Sequence, residues 1–365
     1  MGFKCGIVGL PNVGKSTLFN ALTKTASAQA ANFPFCTIEP NVGEVAVPDD
    51  RLDNLADIAQ SANRIPARLN FVDIAGLVRG ASKGEGLGNQ FLANIRETDA
   101  IAHVLRCFED DDITHVEGAI DPLADADTVE TELMLADLES LEKREVTLRK
   151  KAAAKDKDAL AELELVDLAL AALREGQPAR VADIPQGRER DWKNLQLITS
   201  KPVIYVCNVE EDSAATGNSL SAKVAEKAAA EGAEAVVISA RIEEELAQLD
   251  DAERLEYLET LGLEEPGLNR LIRQGYALLD LITYFTAGPK ESRAWTIKRG
   301  TAAPQAAGVI HTDFERGFIK AETIAYADYT EHQGEQGARD AGRLRQEGKE
   351  YVVEDGDVML FRFNV

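Results

Sequence analysis

The clearest chemical signal in the sequence is the run Gly9-Leu10-Pro11-Asn12-Val13-Gly14-Lys15-Ser16, which has the GxxxxGK[ST] spacing of a phosphate loop. Gly9 and Gly14 let the backbone fold tightly, so that its N–H groups point at phosphate oxygens. Lys15 can then reach the β and γ phosphates of a nucleotide, while the Ser16 hydroxyl ligates Mg²⁺. An apolar run precedes the motif and a helix-like run follows it, which is the context that such a site requires.

Two later segments offer further ligands for the same metal ion. Asp73 ends an alternating strand-like run over residues 68–73 and opens the DxxG sequence Asp73-Ile74-Ala75-Gly76. A carboxylate at this place holds Mg²⁺ through water, and the N–H of Gly76 can approach the γ-phosphate closely. Thr37 lies in a proline-broken loop, where a threonine completes the Mg²⁺ shell when the γ-phosphate is present.

The group that positions the attacking water is left open by the sequence. Leu77 follows the DxxG sequence where related switch enzymes carry glutamine, and an aliphatic side chain cannot orient water. Intrinsic turnover is therefore expected to be slow. One candidate for the missing function is His115, in an acidic loop after a strand. The other is a monovalent cation such as K⁺, held with the help of Asn12, which would supply positive charge in the transition state.

A base-recognition segment follows the strand-like residues 202–207. In guanine-specific relatives of this architecture it reads NKxD, whereas here it reads Asn208-Val209-Glu210-Glu211. The aspartate of NKxD accepts hydrogen bonds from guanine N1–H and the 2-amino group, and adenine offers neither donor. The change to Glu211 and the loss of the lysine therefore favour adenine. Ser239 and Ala240, after the next strand, are placed to cover the other edge of the base.

The elements that must position these residues alternate between strands and helices, which is typical of an α/β fold with a parallel sheet. Residues 129–175 break the alternation with apolar residues at helical spacing, and they predict a helical hairpin inserted between two strands. Its tip carries the basic residues Arg149, Lys150, Lys151, Lys155 and Lys157 against only Asp156 and Asp158. Such a tip is either a solvated surface or a contact for RNA phosphates. From residue 280 onward short β-prone runs predict a small β-rich domain.

Composition restricts the class of protein. The chain has 365 residues, enough for about two domains, and its formal net charge of −23 argues against indiscriminate binding to nucleic acids or membranes. Its apolar runs fall short of the roughly 20 residues that span a bilayer. We therefore expect a soluble, cytoplasmic protein without a membrane partner.

The motifs GLPNVGKS, NFPFCT, DIAGL, NVEE and SARIE, in this order and with the hairpin and the β-rich tail, resemble those of the YchF subfamily of Obg-related phosphate-loop proteins, the Obg-like ATPases. The resemblance extends over essentially the whole chain. It implies a Ras-like nucleotide-binding domain of the OBG type over residues 1–279, with the hairpin insert at about 124–200. It also implies a TGS domain of ubiquitin-like fold over residues 280–363.

The resemblance further implies hydrolysis of ATP in preference to GTP, and association with ribosomes or RNA through the hairpin and the TGS domain. Carried onto this sequence, it places the functional contacts as follows: phosphates on residues 12–17, including Val13 and Thr17; Mg²⁺ on Ser16 and Thr37; and the base on Asn208, Val209 and Glu211. Whether Glu210 or Glu211 faces the base is not decided by the motif.

Three functions fit these observations. The first is a slow ATPase acting as a translation-linked or stress-response switch, and the second is a GTPase of the same architecture. The third is an RNA- or ribosome-binding module whose nucleotide gates docking, with hydrolysis incidental. The segment at residues 208–211 discriminates between the first two, and turnover measured with and without ribosomes tests the third.

Overall fold

The computed structural model describes residues 3–30, 42–74, 87–110 and 120–364. The described residues form the following strands: β1 (Lys4–Val8), β2 (Val42–Ala46), β3 (Asn63–Ile65), β4 (Arg68–Asp73), β5 (Ala100–Arg106), β6 (Val203–Asn208), β7 (Glu234–Ile238), β8 (Leu281–Ala287), β9 (Glu291–Lys298), β10 (Phe318–Ala325), β11 (Arg345–Glu347) and β12 (Asp357–Phe363).

The helices of the described residues are α1 (Lys15–Ala30), α2 (Asp50–Ala59), α3 (Leu87–Arg96), α4 (Pro122–Ala153), α5 (Lys157–Arg174), α6 (Glu189–Lys193), α7 (Ser219–Ala230), α8 (Ala240–Leu246), α9 (Asp251–Thr260), α10 (Gly267–Leu278), α11 (Ala303–Ile310), α12 (Thr312–Arg316), α13 (Tyr326–Glu331) and α14 (Glu335–Asp340). None of them is long and apolar enough to cross a membrane within the described parts of the chain.

The first sheet has the strand order β2-β4-β1-β5-β6-β7. Strand β1 pairs in parallel with β4 and β5, and β6 pairs in parallel with β5 and β7. Every residue of β5 is buried, as expected for a central strand covered on both faces. Because parallel strands end at the same edge, the residues that follow β1, β4, β5, β6 and β7 come together there.

The predicted helical hairpin is confirmed as α4 and α5. Asp121 and Asp156 cap their N-termini by accepting hydrogen bonds from backbone N–H groups. The predicted apolar positions pack into one core with Trp192, namely Leu141, Leu148, Leu163, Val166, Leu170 and Leu173, while Met134 and Leu138 pack against it partly buried. The insert therefore has a hydrophobic core of its own.

Asp137 anchors the base of the hairpin. Its carboxylate is fully buried and accepts hydrogen bonds from the backbone N–H groups of Ile198 and Thr199, at 3.0 and 2.8 Å, and from the Thr199 hydroxyl at 2.8 Å. Burial raises the pKa of this carboxyl group, and the three hydrogen bonds oppose that shift. The carboxylate thereby fixes α4 to the segment that returns to β6.

A second compact unit contains the predicted β-rich carboxy-terminal domain, and this part of the predicted fold class is also confirmed. Its sheet has the order β11-β10-β12-β8-β9-β3, with both parallel and antiparallel pairs. Tyr284 and Phe361 meet edge to face in its core, with ring centroids 5.8 Å apart.

The second unit also contains residues 44–69, which the sequence analysis placed with the nucleotide domain. By backbone contacts it comprises Glu44–Leu69 and Ile272–Val365, and the first unit comprises Phe3–Gly43 and Asn70–Leu271. Within the second unit, Arg51 pairs with Asp355 at 2.7 Å and Asn54 donates to the Tyr326 hydroxyl at 2.9 Å. The predicted single domain boundary after residue 279 does not include residues 44–69 in the second unit. The assignment of this unit as a TGS domain stays a prediction.

Candidate nucleotide-binding site

A cavity of about 650 Å³ lies in the first unit at the carboxyl edge of its sheet. It is bounded by the phosphate loop and the start of α1, by the residues that follow β5 and β6, and by the start of α8. Its lining consists of Asn12, Gly14, Lys15, Ser16, Thr17, Phe108, Glu109, Asp110, Asn208, Val209, Glu210, Glu211, Ser239, Ala240, Arg241 and Glu244. The volume suits a small-molecule ligand of nucleotide size.

The backbone of the phosphate loop explains its glycines. Gly14 has a φ of +97°, which side chains with a Cβ rarely adopt, and a Cβ there would collide with the amide nitrogen of Asn208. A Cβ on Gly9 would collide with the carbonyl oxygen of Val104. Asn12 has a φ of 63°, a left-handed conformation that asparagine tolerates better than most residues.

Lys15 is the first residue of α1, and its side chain is only 7% exposed. Its ammonium group donates to the carbonyl oxygen of Leu10 at 2.6 Å. Burial lowers the pKa of Lys15 to about 8, although the charge of Asp73 opposes the shift. Burial likewise raises the pKa of Asp73, and Lys15 opposes that shift. The two groups thus lie close enough to interact electrostatically.

Asn208, the last residue of β6, joins the phosphate loop to the start of α8. Its side chain is 6% exposed. The amide nitrogen donates to the carbonyl oxygen of Val13 at 3.0 Å, and the amide oxygen accepts from the N–H of Ala240 at 2.9 Å. Each of these two atoms retains capacity for one further hydrogen bond. Asn208 therefore links the phosphate loop to the start of α8 and fixes their positions relative to each other.

The two acidic residues after Asn208 have different partners. Glu210 accepts from the Ser213 hydroxyl and from the Asn218 amide nitrogen, at 3.0 and 3.1 Å to its two oxygens. Burial raises the pKa of Glu210, but these hydrogen bonds outweigh burial and the pKa is lowered. Glu211 instead forms an ion pair with Arg241, at 2.8 Å between Oε1 and Nε.

Full-length relatives align with the entire chain. The ribosome-binding ATPases YchF of Haemophilus influenzae and Pasteurella multocida are each 59% identical to it over 365 residues, which is 100% of this chain and 100% of each relative. The chain belongs to the YchF family. This result confirms the resemblance seen in the motifs.

Two family models and a solved structure agree with YchF membership. A model described as "50S ribosome-binding GTPase" matches residues 4–137, and the model YchF-GTPase_C, described as "Protein of unknown function (DUF933)", matches residues 281–364. The structure of the Schizosaccharomyces pombe YchF GTPase is 40% identical, has a TM-score of 0.89, and covers 99% of this chain and 98% of its own. The predicted fold class, a phosphate-loop domain followed by a β-rich domain, is thereby confirmed.

Most of the predicted site residues of this YchF-family chain lie together. Those that line the cavity are Asn12, Gly14, Lys15, Ser16, Thr17, Asn208, Val209, Glu211, Ser239 and Ala240. Of the described predicted residues, Gly9, Val13 and Asp73 shape or flank the loops without lining the cavity. The predictions for Thr37, Gly76, Leu77 and His115 fall outside the described residues.

Sequence reasoning missed the lining residues Phe108, Glu109 and Asp110. They follow β5 directly, so their place at the carboxyl edge of the sheet was the signal that could have found them. Arg106, which is 1% exposed, holds this segment by donating to the carbonyl oxygens of Phe108 and Asp110 at 3.2 and 3.0 Å. Its guanidinium also lies 4.7 Å from the centroid of the Phe108 ring.

Proposed function

We propose that the protein binds and hydrolyses ATP in a Mg²⁺-dependent cycle and associates with the ribosome. The observation that carries the proposal is a single cavity in which the phosphate loop faces residues 208–211 and 239–241. The full-length identity to relatives named ribosome-binding ATPases supports the same activity and association.

The phosphate side of the cavity suits a triphosphate. Lys15 is charged at neutral pH and is already directed along the loop by its hydrogen bond to the Leu10 carbonyl. When a nucleotide binds, the Lys15 ammonium group exchanges its hydrogen bond to the Leu10 carbonyl for contacts with the β and γ phosphate oxygens. The N-terminus of α1 adds its partial positive charge, and the loop N–H groups donate to the same oxygens. The reaction is a phosphoryl transfer to water, so positioning and charge stabilisation supply most of the catalysis.

The residues beside the phosphate loop fit a Mg²⁺ ion by the chemistry of their donors. Ser16, which is exposed and follows Lys15 in α1, offers a hydroxyl oxygen, and Asp73 offers a carboxylate at the end of β4. Oxygen atoms of this kind, together with water and phosphate, are what Mg²⁺ prefers. When bound, the ion neutralises charge on the β and γ phosphates. Asp73 also offsets the charge of Lys15.

The base side of the cavity favours adenine. Val209, in the place of the NKxD lysine, is 2% exposed and packs in the core with Leu105 and Cys207. The segment therefore has no lysine stem to cover the base at this position. Glu210 and Glu211 are hydrogen-bonded or paired within the protein. A guanine would therefore meet carboxylates on this segment that already have partners, whereas adenine has no N1–H or 2-amino group that needs one.

The decisive experiment is a parallel titration of the Mg²⁺-loaded protein with ATP and GTP. Tighter binding of ATP is the expected result, and Lys15→Ala should abolish tight binding of both nucleotides, since loss of a charge-assisted contact costs roughly 2 to 5 kcal/mol. The second candidate is a GTPase of the same architecture, the activity by which the S. pombe relative is named. Tighter binding of GTP to the unmodified protein would select that candidate.

Ribosome association is proposed to use the hairpin tip. Lys150, Lys151, Lys155 and Lys157 are exposed where α4 turns into α5. Of the acids described nearby, Glu145 and Asp167 pair with Arg149, at 2.7 and 3.0 Å, and Asp156 caps α5. A protein of net charge −23 thus presents a local group of cations, which is the form that RNA phosphates recognise.

Co-sedimentation with ribosomes at increasing salt tests this surface. Replacing Lys151 and Lys155 by Gln should weaken binding and reduce the log–log salt slope by about 2, since each phosphate contact contributes about 0.9. A double variant of Lys143 and Lys223, which are exposed elsewhere, makes the same charge change and should leave the slope unaltered. Equal slopes for both variants would argue against the tip. Turnover that is unaffected by ribosomes would favour the binding module with incidental hydrolysis.

A further inference from the structure

The ion pair between Glu211 and Arg241 spans two loops that bound the base side of the cavity. Glu211 follows β6, and Arg241 lies in the first turn of α8, directly after Ser239 and Ala240. Both side chains line the cavity, and the Nε of Arg241 lies 2.8 Å from Oε1 of Glu211. The Arg241 side chain is 77% exposed, so its main described contact is this carboxylate rather than the protein core.

The neighbouring carboxylate is held by a separate set of contacts. The Asn218 side chain caps α7, with its oxygen accepting from the N–H groups of Leu220 and Ser221 at 3.0 Å each. Its amide nitrogen then donates to Glu210 and to the carbonyl oxygen of Cys107 at 2.6 Å. Because the cap fixes the Asn218 side chain, Glu210 is held by hydrogen bonds at its place in the cavity lining. Of the two acids, Glu211 is the one whose described partner is an exposed side chain.

We propose that Arg241 is a specificity-determining residue, which excludes guanine by occupying the carboxylate of Glu211. The inference rests on the proposed preference for ATP and supplies a physical cause for it. Guanine offers two adjacent donors, N1–H and the 2-amino group, and their natural acceptor is a carboxylate on this loop. With Arg241 paired to Glu211, the guanidinium occupies one of the two carboxylate oxygens and competes with the two guanine donors for this acceptor. Adenine has no such donors and incurs no such cost.

The pairing also explains why a carboxylate at this position is compatible with adenine. An unpaired Glu211 would place a negative charge beside the unprotonated N1 of adenine, which is itself an acceptor. The guanidinium of Arg241 neutralises that charge. One residue therefore acts in both directions, by lowering the affinity for guanine and by removing a repulsion against adenine.

The test measures the dissociation constants of ATP and GTP for the unmodified protein, Arg241→Ala and the double variant Arg241→Ala/Glu211→Gln. Arg241→Ala should increase GTP affinity by about twofold to fivefold. This range corresponds to the small free energy of an exposed ion pair, converted to a ratio of dissociation constants. ATP affinity should stay equal or fall. The double variant should lose the gain in GTP affinity, because the released acceptor is gone.

Two controls separate this role from a general loosening of the loop. Arg241→Lys retains a cation beside Glu211 and should keep the nucleotide preference of the unmodified protein. Inosine triphosphate, which has N1–H but lacks the 2-amino group, should gain less affinity than GTP in Arg241→Ala. An equal gain for ATP, GTP and inosine triphosphate would overturn the proposal, as would an unchanged GTP affinity.

These measurements also distinguish a failure of the proposed function from a failure of the proposed role of Arg241. The ratio of ATP to GTP affinity in the unmodified protein tests the proposed function. The change in that ratio between the unmodified protein and Arg241→Ala tests the role of Arg241. Because Arg241 is largely exposed, its removal should leave the thermal unfolding midpoint nearly unchanged, and that measurement accompanies each titration.

Discussion

The buried ammonium group of Lys15 should make the proposed nucleotide binding sensitive to pH in the mildly alkaline range. Burial lowers the pKa of Lys15 to about 8, against the opposing charge of Asp73. In the proposed binding mode, the charged form contacts the β and γ phosphates. We therefore predict that the affinity for Mg²⁺-ATP decreases as the pH increases through 8, well before an ordinary lysine would lose its proton.

The size of the effect follows from the pKa. A group with a pKa of about 8 is roughly three-quarters protonated at pH 7.5 and about one-tenth protonated at pH 9. The apparent dissociation constant should therefore increase about eightfold over this interval, or about 1.2 kcal/mol of binding free energy. Starting at pH 7.5 keeps the terminal phosphate of ATP ionised, so the titration of the nucleotide contributes little.

The stability of the unliganded protein should change in the opposite direction. The pKa of Lys15 is lower in the folded state than its ordinary value of 10.5. The unfolded chain therefore binds more protons between pH 8 and 10.5, and the contribution of Lys15 to folding stability increases with pH over that range. A weaker affinity at pH 9 thus cannot be assigned to unfolding caused by this group.

The assay is a calorimetric titration with Mg²⁺-ATP at constant ionic strength between pH 7.5 and 9. Lys15→Arg keeps its charge over this range, so its weaker binding should be independent of pH. Lys201 is a matched control, because burial lowers its pKa to about 8 too, while its ammonium group contacts the carbonyl oxygen of Arg96 and lies away from the cavity. Lys201→Gln should keep the pH profile. A flat profile for the unmodified protein would refute the reasoning.

Three further outcomes are expected. Asp137→Asn should lower the free energy of unfolding by about 1 to 3 kcal/mol in denaturant titrations, because the amide leaves buried donors unsatisfied. Glu139→Gln removes an exposed ion pair with Lys143 and should lower the free energy of unfolding by less than about 1 kcal/mol. Gly14→Ala should abolish ATP binding, while Gly176→Ala, also at positive φ but in open space, should only reduce stability. Single-turnover hydrolysis should be faster in K⁺ than in Na⁺, and Asn12→Ala should remove that difference.

Much of the nucleotide domain could be predicted from local sequence, since its strands are short apolar runs that end at recognisable motifs. The predicted strand over residues 68–73 is β4 itself, and residues 235–238 fall within β7. A parallel sheet then requires that the ends of such strands meet at one edge. The cavity lining at the phosphate loop and at Asn208 follows from that rule alone.

The place of residues 44–69 could not be predicted in this way. Strand β3 is only three residues long and has no alternation of its own, so its sequence carries no strand signal. It is a strand because Asn63 pairs with Glu291, more than 200 residues away along the chain. Contacts at this sequence separation depend on the completed second unit, and periodicity within a short window does not reveal them.

The partner of Glu211 illustrates the same limit at the level of side chains. The motif shows a second acid beside Glu211, but a motif does not show which of two adjacent carboxylates is already engaged. In the structure, an asparagine at a helix cap engages Glu210 and an arginine on another helix engages Glu211. The phosphate loop depends on backbone geometry that a short motif specifies, whereas the proposed base selectivity depends on pairs between separate loops. The chemistry of the site is therefore more readily predicted than its selectivity.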